Sequence, residues 1–320
     1  MKFEIANEKT IEGFFKLGYE IATNEQKERL FGKEKTFDEY RNELEQYISS
    51  LKDNSILLAL DDDGTVLGYN WCSQRARNEV WNFEKKPFWI YDLVVRKSQR
   101  GTGLGKQLMQ KAEELAKQKG YDKIGLHVFG YNTSAVRLYE KLGYKTTNFN
   151  ITILIPPEIE IPSFDYKIEL IEPEKLPVDK VKQLKFESFK SKIRSRVNLS
   201  EKEIQKNFEE TFGKINYLNS EVKNILLTDT DGIKDGLIRF IKSKGDLGEE
   251  EYYWIIDFYV EQMTNRIEKY STLLSFAFKN RPDRNIQKFR MEVLSDEKEI
   301  IKGLEAFSFE KTNLCMFKFL

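Results

Sequence analysis

The stretch FWIYDLVVRKSQRGTGLGKQLM, residues 88–109, joins an apolar run to three glycines within five positions. The run 88–95 is rich in aromatic and β-branched residues, which predicts a buried strand. Behind the glycines, Leu104 and Leu108 recur at helical spacing and predict an amphipathic helix that Gly120 can end. We therefore expect a strand, a glycine loop and a helix N-terminus in succession.

The glycine loop has the composition of an anion-binding turn. The helix behind it offers unpaired N–H groups and the positive end of its dipole. Gly101, Gly103 and Gly105 leave the backbone open to close approach, and Arg100 and Lys106 add positive charge at the rim. The spacing matches neither the dinucleotide fingerprint nor the Walker loop. A diphosphate suits this loop, and a tight turn whose backbone angles simply need glycine is the alternative.

Composition limits the classes of function. The chain has 320 residues with 52 Lys+Arg and 52 Asp+Glu, so its length predicts about two domains and its charge gives no general attraction to nucleic acid. Cys72 and Cys315 are too few for a disulfide framework or a cysteine metal site. His127, the single histidine, has no nearby Cys or His partner, so it is interpreted as structural and no metal is expected.

Membrane and nucleic-acid partners are not expected either. The charged N-terminus has no apolar core typical of a secretion signal, and no run of eighteen apolar residues is present. A cytoplasmic protein is therefore expected. The basic run at 180–196 lacks an interleaved aromatic pattern, which favours a solvated helix face over an RNA-binding surface.

The first half of the chain predicts a mixed sheet with helices on its faces. Thr36 and Glu39 form a capping box, so a helix is expected over 37–51. Strands at 55–60 and 65–71 form a hairpin, because Asp-Gly stands between two apolar runs. Beyond the glycine loop we expect a strand at 122–129, a helix at 133–143 and a strand at 144–154. The fold class is therefore α/β, in the form of an α+β mixed sheet.

The second half repeats this order of elements at a constant offset of 165 residues, defined by Trp89 and Trp254. Ser200 and Glu203 form a second capping box. The other matching pairs are Ile90 with Ile255, Asp92 with Asp257, Val95 with Val260, Leu108 with Leu273, Ala112 with Ala277, Val128 with Val293, and Thr147-Asn148 with Thr312-Asn313. The proline-rich stretch IPPEIEIPSF interrupts the pattern between the copies. We expect domains at 1–156 and 166–320, joined by a linker at 157–165.

Two motifs in the first copy resemble those of the GCN5-related N-acetyltransferase (GNAT) family. The acetyl-CoA motif Q/R-x-x-G-x-G/A follows a strand that ends in L-x-V, here Leu93 and Val95. The family's second motif stands here as Asn132, Ala135, Leu138, Tyr139, Gly143 and Tyr144. The resemblance covers roughly residues 1–154 and implies two tandem GNAT-like domains.

The resemblance implies an acyl-CoA-dependent N-acyltransferase that passes an acetyl group from acetyl-CoA to a primary amine of a small molecule or peptide. The residues expected to hold acetyl-CoA are Leu93, Val94, Val95, Gln99, Arg100, Gly101, Thr102, Gly103, Leu104, Gly105, Lys106, Asn132 and Tyr139. Which amine is the acceptor, which acyl group beyond acetyl is used, and which oligomer forms do not follow from the sequence.

The resemblance also suggests roles in the reaction. The strands 88–95 and 123–129 would separate to admit the pantetheine arm, and a backbone N–H near Val94 or Val95 would polarise the acyl carbonyl. Tyr139 would give a proton to the departing thiolate, and Asp92, Tyr91 or a water chain would take one from the amine. Aromatic residues that could floor an acceptor pocket are Trp71, Trp81, Phe83, Phe88 and Tyr91.

The second copy serves as an internal control. At the offset of 165, the loop residues 100–105 correspond to 265–270, where every glycine is replaced and Glu268 brings a negative charge. The second copy should therefore not bind coenzyme A in this way. Asp257 persists at the position of Asp92, so Asp92 is as well explained by a structural hydrogen bond as by catalysis.

Two other functions remain open. A non-catalytic acetyl-CoA sensor or scaffold would keep the loop, but it would have no need of a proton donor such as Tyr139. An aminoacyl-tRNA-dependent transferase of the peptidoglycan-bridge type also pairs two such folds, but it should lack an intact loop and often carries a long helical arm.

Overall fold

The computed structural model describes residues 1–25, 36–74, 87–159, 166–194, 200–212, 217, 219–228, 234–244, 251–260, 265–295, 297–305 and 307–320. Trp81, Phe83 and residues 160–165 of the expected linker lie outside these ranges. Contacts divide the chain into two compact units. The first consists of Met1–Thr147 and Asn313–Leu320, and the second of Asn148–Thr312.

Twelve strands and eight α-helices are found in the described residues. The strands are β1 (Lys2–Ile5), β2 (Ser55–Leu60), β3 (Val66–Gln74), β4 (Phe88–Val95), β5 (Lys123–Phe129), β6 (Lys145–Leu154), β7 (Lys167–Ile171), β8 (Lys223–Thr228), β9 (Lys234–Lys244), β10 (Glu251–Val260), β11 (Lys288–Leu294) and β12 (Phe309–Phe319). The helices are α1 (Ile11–Glu25), α2 (Phe37–Ser50), α3 (Leu104–Gln118), α4 (Thr133–Lys141), α5 (Val178–Arg194), α6 (Glu201–Phe212), α7 (Arg266–Lys279) and α8 (Lys298–Leu304).

The sheet of the first unit has the strand order β1-β2-β3-β4-β5-β12. All neighbouring strands are antiparallel except β4 and β5, which are parallel. The predicted capping box starts α2, since Thr36 accepts from the Glu39 N–H and the Glu39 carboxylate accepts from the Thr36 N–H. The predicted mixed sheet with helices is thereby confirmed for this unit.

Helices cover both faces of this sheet. Phe14 of α1 packs against Tyr69 and Trp71 of β3 on one face. On the other face, Met109 of α3 packs in one core with Leu126 of β5. Each strand therefore contributes side chains to two separate cores, which explains the nearly continuous burial of β2 and β3.

The second unit has the strand order β6-β11-β10-β9-β8-β7, with β10 and β11 parallel. The sequence offset of 165 residues holds in three dimensions as well, because β5 at 123–129 corresponds to β11 at 288–294. Ser200 and Glu203 form the second predicted capping box, at the start of α6. The two units therefore share one fold.

The compact units differ from the predicted domain ranges at their last strands. Residues 148–154 of β6 pair with β11 of the second unit, and residues 313–319 of β12 pair with β5 of the first. The chain thus changes unit after Thr147 and again after Thr312, positions that are 165 residues apart. Each exchanged strand pairs with a strand edge whose N–H and C=O groups would otherwise lack partners.

Candidate functional site

The central strands of the first unit separate halfway along their length. Parallel pairing between β4 and β5 ends at Ile90 and Leu126. A β-bulge lies on β4 between Ile90 and Asp92, opposite the step from Trp71 to Cys72 on β3. Beyond the bulge a cleft of about 970 Å³ lies between the strand ends and is also lined by the glycine loop, α3 and α4. The separation expected between these strands is therefore present.

The direction of the backbone groups at the cleft follows from the pairing of β3 with β4. The Arg96 N–H donates to the Leu67 carbonyl at 2.9 Å, and these residues lie directly opposite each other. Because bonding alternates along an antiparallel pair, the Val94 N–H also faces β3, whereas the Val95 N–H faces the cleft. Val95 is therefore the better placed of the two N–H groups considered for polarising a carbonyl.

The glycine loop combines strained backbone with open space. Gly101 and Gly103 have φ angles of 82° and 88°, which side chains other than glycine rarely adopt. A Cβ added at either position would meet no atom within 4 Å, and both residues line the cleft. The two explanations for these glycines hold together, because the turn needs glycine and its exposed side faces a space for a ligand.

The N-terminus of α3 faces the same space. Its first backbone bond runs from the Gln107 N–H to the Gly103 carbonyl at 3.1 Å, so the N–H groups of residues 104–106 precede the helical ladder. Arg100 donates through Nε to the Val95 carbonyl at 3.2 Å, and the Thr102 hydroxyl donates to the Gln99 carbonyl at 2.8 Å. These side chains hold the loop, and the helix N-terminus supplies its donors for an anion.

Positive side chains surround this end of the cleft. Arg100 and Lys106 contribute from the loop and the first turn of α3, and Arg137 and Lys141 contribute from α4. The sequence argument did not single out Arg137 or Lys141. Their spacing of four residues on one helix was the available signal, since it places both on the same face.

Tyr139 lies in α4 and lines the cleft with only 6% of its surface exposed. Burial, together with the nearby charge of Asp92, raises the pKa of its phenol above the usual 10. The hydroxyl is therefore protonated at neutral pH and can donate a proton or a hydrogen bond. The residue before α4, Asn132, accepts from the Ala135 N–H at 3.2 Å, so it caps the helix that carries Tyr139.

Asp92 enters the cleft from the face of the sheet that α1 and α2 cover. The Tyr69 hydroxyl donates to its Oδ2 at 2.6 Å, and burial raises the pKa of the carboxyl from 3.8 to about 6. Hydrogen bonds from Tyr69 and from the Leu93 N–H lower that pKa but only partly offset the burial. Asp92 is thus a carboxylate that is ionised at neutral pH and can accept a proton.

Tyr69 and Gly18 are two residues of this site that sequence reasoning missed. A Cβ on Gly18 would lie 2.5 Å from the Tyr40 hydroxyl and 3.0 Å from the Tyr69 hydroxyl. A glycine in the middle of α1 therefore lets both hydroxyls lie under the helix, next to Asp92. The signal was a glycine within an otherwise helical pattern, which often marks a close approach.

His127 is exposed, lines the cleft and places its ring edge against Trp89 with centroids 4.9 Å apart. No group of three His, Cys, Asp or Glu side chains among the described residues is arranged to hold a metal ion. Within the same ranges, none of the helices is both long and apolar enough to cross a membrane.

The second unit fills the equivalent space with side chains. Tyr270 stands at the position of Gly105 and is 3% exposed, with its ring 4.8 Å from that of Phe258. Arg266 donates to the Val260 carbonyl at 3.1 Å and to Glu299 of α8 at 2.7 Å. The equivalent of the glycine loop is therefore spanned by an ion pair and closed by an aromatic ring.

Asp257, the counterpart of Asp92, lies in a different environment. Its carboxylate accepts from Lys185 at 2.7 Å and from Arg239 at 3.0 Å. Arg239 is 1% exposed and is held further by Asn224. In this unit the aspartate neutralises buried cations. Lys185 belongs to the basic run 180–196, in which Lys190 also pairs with Glu201.

Comparison with known proteins gives the same assignment. A profile of the acetyltransferase (GNAT) family matches residues 20–144. Among curated proteins, the chain is 32% identical over 91 residues to "Uncharacterized N-acetyltransferase YdgE" of Bacillus subtilis, which is 28% of this chain and 55% of that protein. It is 36% identical over 81 residues to a mycothiol acetyltransferase of Thermobispora bispora, covering 25% of this chain and 27% of that one. The chain thus spans about half of the first relative and about a quarter of the second.

A solved structure extends the similarity of fold to both units. A GCN5-related N-acetyltransferase of Sphaerobacter thermophilus covers 99% of this chain and 95% of its own, with a TM-score of 0.53 and 15% identity. The match at this identity concerns the fold. Together with the two motifs and the profile match in the first unit, it shows that the chain belongs to the acetyltransferase (GNAT) family, with two tandem GNAT-like domains.

Proposed function

We propose that the first unit transfers an acetyl group from acetyl-CoA to a primary amine by direct attack of the amine within a ternary complex. One observation carries this proposal. The cleft passes through the sheet where β4 and β5 separate, with the helix N-terminus and Tyr139 on one face and Asp92 on the other. A thioester and an amine can therefore meet from opposite faces. The curated relatives are named as acetyltransferases, which supports the same reaction class.

The residues present fit acetyl-CoA. Its diphosphate matches the N–H groups that begin α3 and the four positive side chains at that end of the cleft. The Val95 N–H faces the cleft and can donate to an oxygen of the extended arm or of the acyl group. Bound there, acetyl-CoA would supply an activated acyl group.

The proton transfers assign roles to two side chains. An alkylamine has a pKa near 10 and must lose a proton before its nitrogen can attack, and Asp92 can accept that proton directly or through water. As the C–N bond forms and the C–S bond breaks, the nitrogen loses a second proton to solvent and the sulfur gains one. Tyr139 is protonated and lies in the cleft, so it is the proposed donor to sulfur.

The decisive experiment combines binding with turnover. Acetyl-CoA at about a hundred times its Kd should stabilise the unit that binds it by about 2.7 kcal/mol, visible as a rise in Tm. Release of free thiol should depend on an added amine. A rise in Tm without thiol release for any amine would favour the sensor over the enzyme, and the absence of both would remove both functions.

Gly105→Glu is the variant that tests the location. Gly105 has an ordinary helical backbone, and its Cβ would stand 3.5 Å from Leu138, so a side chain is tolerated without strain. The new carboxylate would face the diphosphate and should abolish the rise in Tm. Glu268→Gln, in the first turn of α7, is the matched control and should leave the rise unchanged. An unaltered rise in Gly105→Glu would place acetyl-CoA elsewhere.

A further inference from the structure

Aromatic rings form one wall of the cleft on the face of the sheet where Asp92 lies. Tyr91 lines the cleft and stacks on Trp71 with centroids 5.0 Å apart and an angle of 25° between the rings. Tyr47 of α2 sets its ring edgewise to both, at 5.9 Å from each. Trp71 is held by a 2.6 Å hydrogen bond from its Nε1 to Asn54. This wall is therefore fixed before any acceptor binds.

The opposite wall on the same face comes from β5. Phe129 lines the cleft with 36% of its surface exposed, and it stacks on Tyr131 at 5.2 Å with 12° between the rings. Because residues alternate along a strand, Phe129 points to the face opposite Val128, which packs in the α3–α4 core. Two stacked aromatic pairs thus stand on either side of the separated strands.

The charges along the cleft are unequally divided. Among its described lining residues, Asp92 is the one carboxylate, and it stands on the aromatic face. The four cations Arg100, Lys106, Arg137 and Lys141 belong to the loop, α3 and α4. An acceptor with a single positive charge finds one partner here. A second ammonium group would find no second carboxylate among these residues and would face the cations instead.

We propose that the acceptor is a primary monoamine whose remaining part is flat and apolar. Its amine lies at Asp92 and its flat part packs between Tyr91 and Phe129. Aromatic rings favour this arrangement because they bury flat surface and attract a neighbouring ammonium group through their faces. The proposal names the substrate class of the proposed acetyl transfer and rests on that function.

The substrate test uses amines that differ in one property each. 2-Phenylethylamine and 2-cyclohexylethylamine share a carbon count but differ in flatness, and spermidine and kanamycin carry several ammonium groups. We expect kcat/KM for 2-phenylethylamine to exceed each of the other three by about tenfold or more, the equivalent of one good aromatic contact. Calorimetric titration of the same amines into the complex with CoA should give the same order without any turnover.

Tyr91→Ile is the informative variant, because Ile256 occupies this position in the second unit. It should reduce the preference for 2-phenylethylamine over 2-cyclohexylethylamine from about tenfold to about onefold in both assays. Tyr91→Phe keeps the ring and should keep the preference, which separates stacking from any role of the hydroxyl. Tyr252→Ile, in β10 of the second unit, is the matched control and should change nothing.

Failure of this inference can be told apart from failure of the proposed function. If acetyl-CoA raises the Tm and a polyamine, an aminoglycoside or the cyclohexyl compound is the better substrate, the monoamine inference is overturned and acetyl transfer stands. The same holds if Tyr91→Ile keeps the aromatic preference. If acetyl-CoA does not raise the Tm and no amine is acetylated, both are overturned.

Discussion

Gly105 in the first unit and Tyr270 in the second occupy the same position, in the first turn of α3 and α7. The residues they meet on the next helix are exchanged in size as well. Gly105 faces Leu138, and Tyr270 faces Gly303, where an added Cβ would come within 2.9 Å of the Tyr270 Cβ. Each helix pair is therefore packed by one large and one small residue. The first arrangement leaves the cleft open, and the second puts a ring into it.

Other features of the site occur in both units and so belong to the fold. Pairing of β10 with β11 ends at Trp254 and Arg290, and a bulge follows between Ile255 and Asp257. The second unit therefore also separates its central strands, although a ring and an ion pair occupy the adjoining space. Strand separation alone is not evidence of cofactor binding, and the side chains around it decide whether a ligand fits.

The largest expected effect comes from giving the first unit the packing of the second. Gly105→Tyr combined with Leu138→Gly should abolish the rise in Tm with acetyl-CoA, because the ring fills the cleft while the paired glycine receives it. Affinity should fall at least about 100-fold, which is 2.7 kcal/mol or more. The measurement is thermal unfolding across a titration of acetyl-CoA.

The control for this double variant is its unfolding without ligand. Tyr270 and Gly303 show that the fold accepts this pair of residues, so the Tm of the ligand-free variant should stay close to that of the parent. Retained acetyl-CoA binding in a folded double variant would contradict the assignment of the cleft.

Asp257→Asn should have the next largest effect, and on stability alone. Arg239 is almost fully buried, and loss of the carboxylate leaves its charge and that of Lys185 without their partner. Breaking such a pair costs about 3 kcal/mol, so the second unit should unfold at clearly lower denaturant. Chemical denaturation followed by tryptophan fluorescence measures this. Glu210→Gln, which removes an exposed partner of Lys206, should leave the transition unchanged.

Much of the fold could be predicted from the sequence because its signals are local. Capping boxes at Thr36 and Ser200 and the glycine loop each act within one turn of chain. The offset of 165 residues adds a second reading of every element. It also identified the copy that lacks the glycines.

The exchange of the last strands could not be predicted. Thr147-Asn148 and Thr312-Asn313 are the same dipeptide, and both strands carry similar alternating patterns. A pattern of this kind says that a strand forms and which face is apolar, but not which neighbouring strand it pairs with. Two strands of equal pattern can each complete either sheet, so partner choice is settled only by tertiary structure.

The different surroundings of the two aspartates were also hidden from the sequence. Asp92 and Asp257 match at the offset, and the sequence alone gave both the same standing. Their surroundings differ because neighbouring strands supply a tyrosine hydroxyl from Tyr69 in one unit and the guanidinium of Arg239 in the other. The chemistry of a carboxylate depends on such long-range neighbours.

Tyr139→Phe addresses the chemical step and should lower kcat by about 100-fold, the usual scale for loss of a general acid. The rise in Tm with acetyl-CoA should persist, since the ring and its packing are kept. Stopped assays of free thiol at saturating amine provide the measurement. Unchanged kcat in this variant would show that the sulfur takes its proton from another donor.

Asp92→Asn should have the smallest effect on stability and one of opposite sign to Asp257→Asn. Burial raises the pKa of Asp92 from 3.8 to about 6, so the folded protein binds this proton more tightly than the unfolded chain. The favourable contribution is complete below pH 3.8 and is lost as the pH rises through about 6. At pH 7.5 the amide should therefore stabilise the first unit by an amount on the order of 1 kcal/mol.

The same variant separates function from stability through pH. Acetyl transfer by the parent should rise with an apparent pKa of about 6 as Asp92 ionises. Asp92→Asn should lack this limb and turn over slowly at every pH, while its gain in Tm disappears toward pH 4 because the parent carboxyl is then protonated. A gain that persists at low pH would mean that the amide stabilises by packing rather than by removing a desolvated charge. A retained limb near pH 6 would assign the base to another group. Opposite signs for the two aspartate variants would show that the first unit retains a destabilising carboxylate where the second has an ion pair, as expected if Asp92 is kept for reaction with the amine.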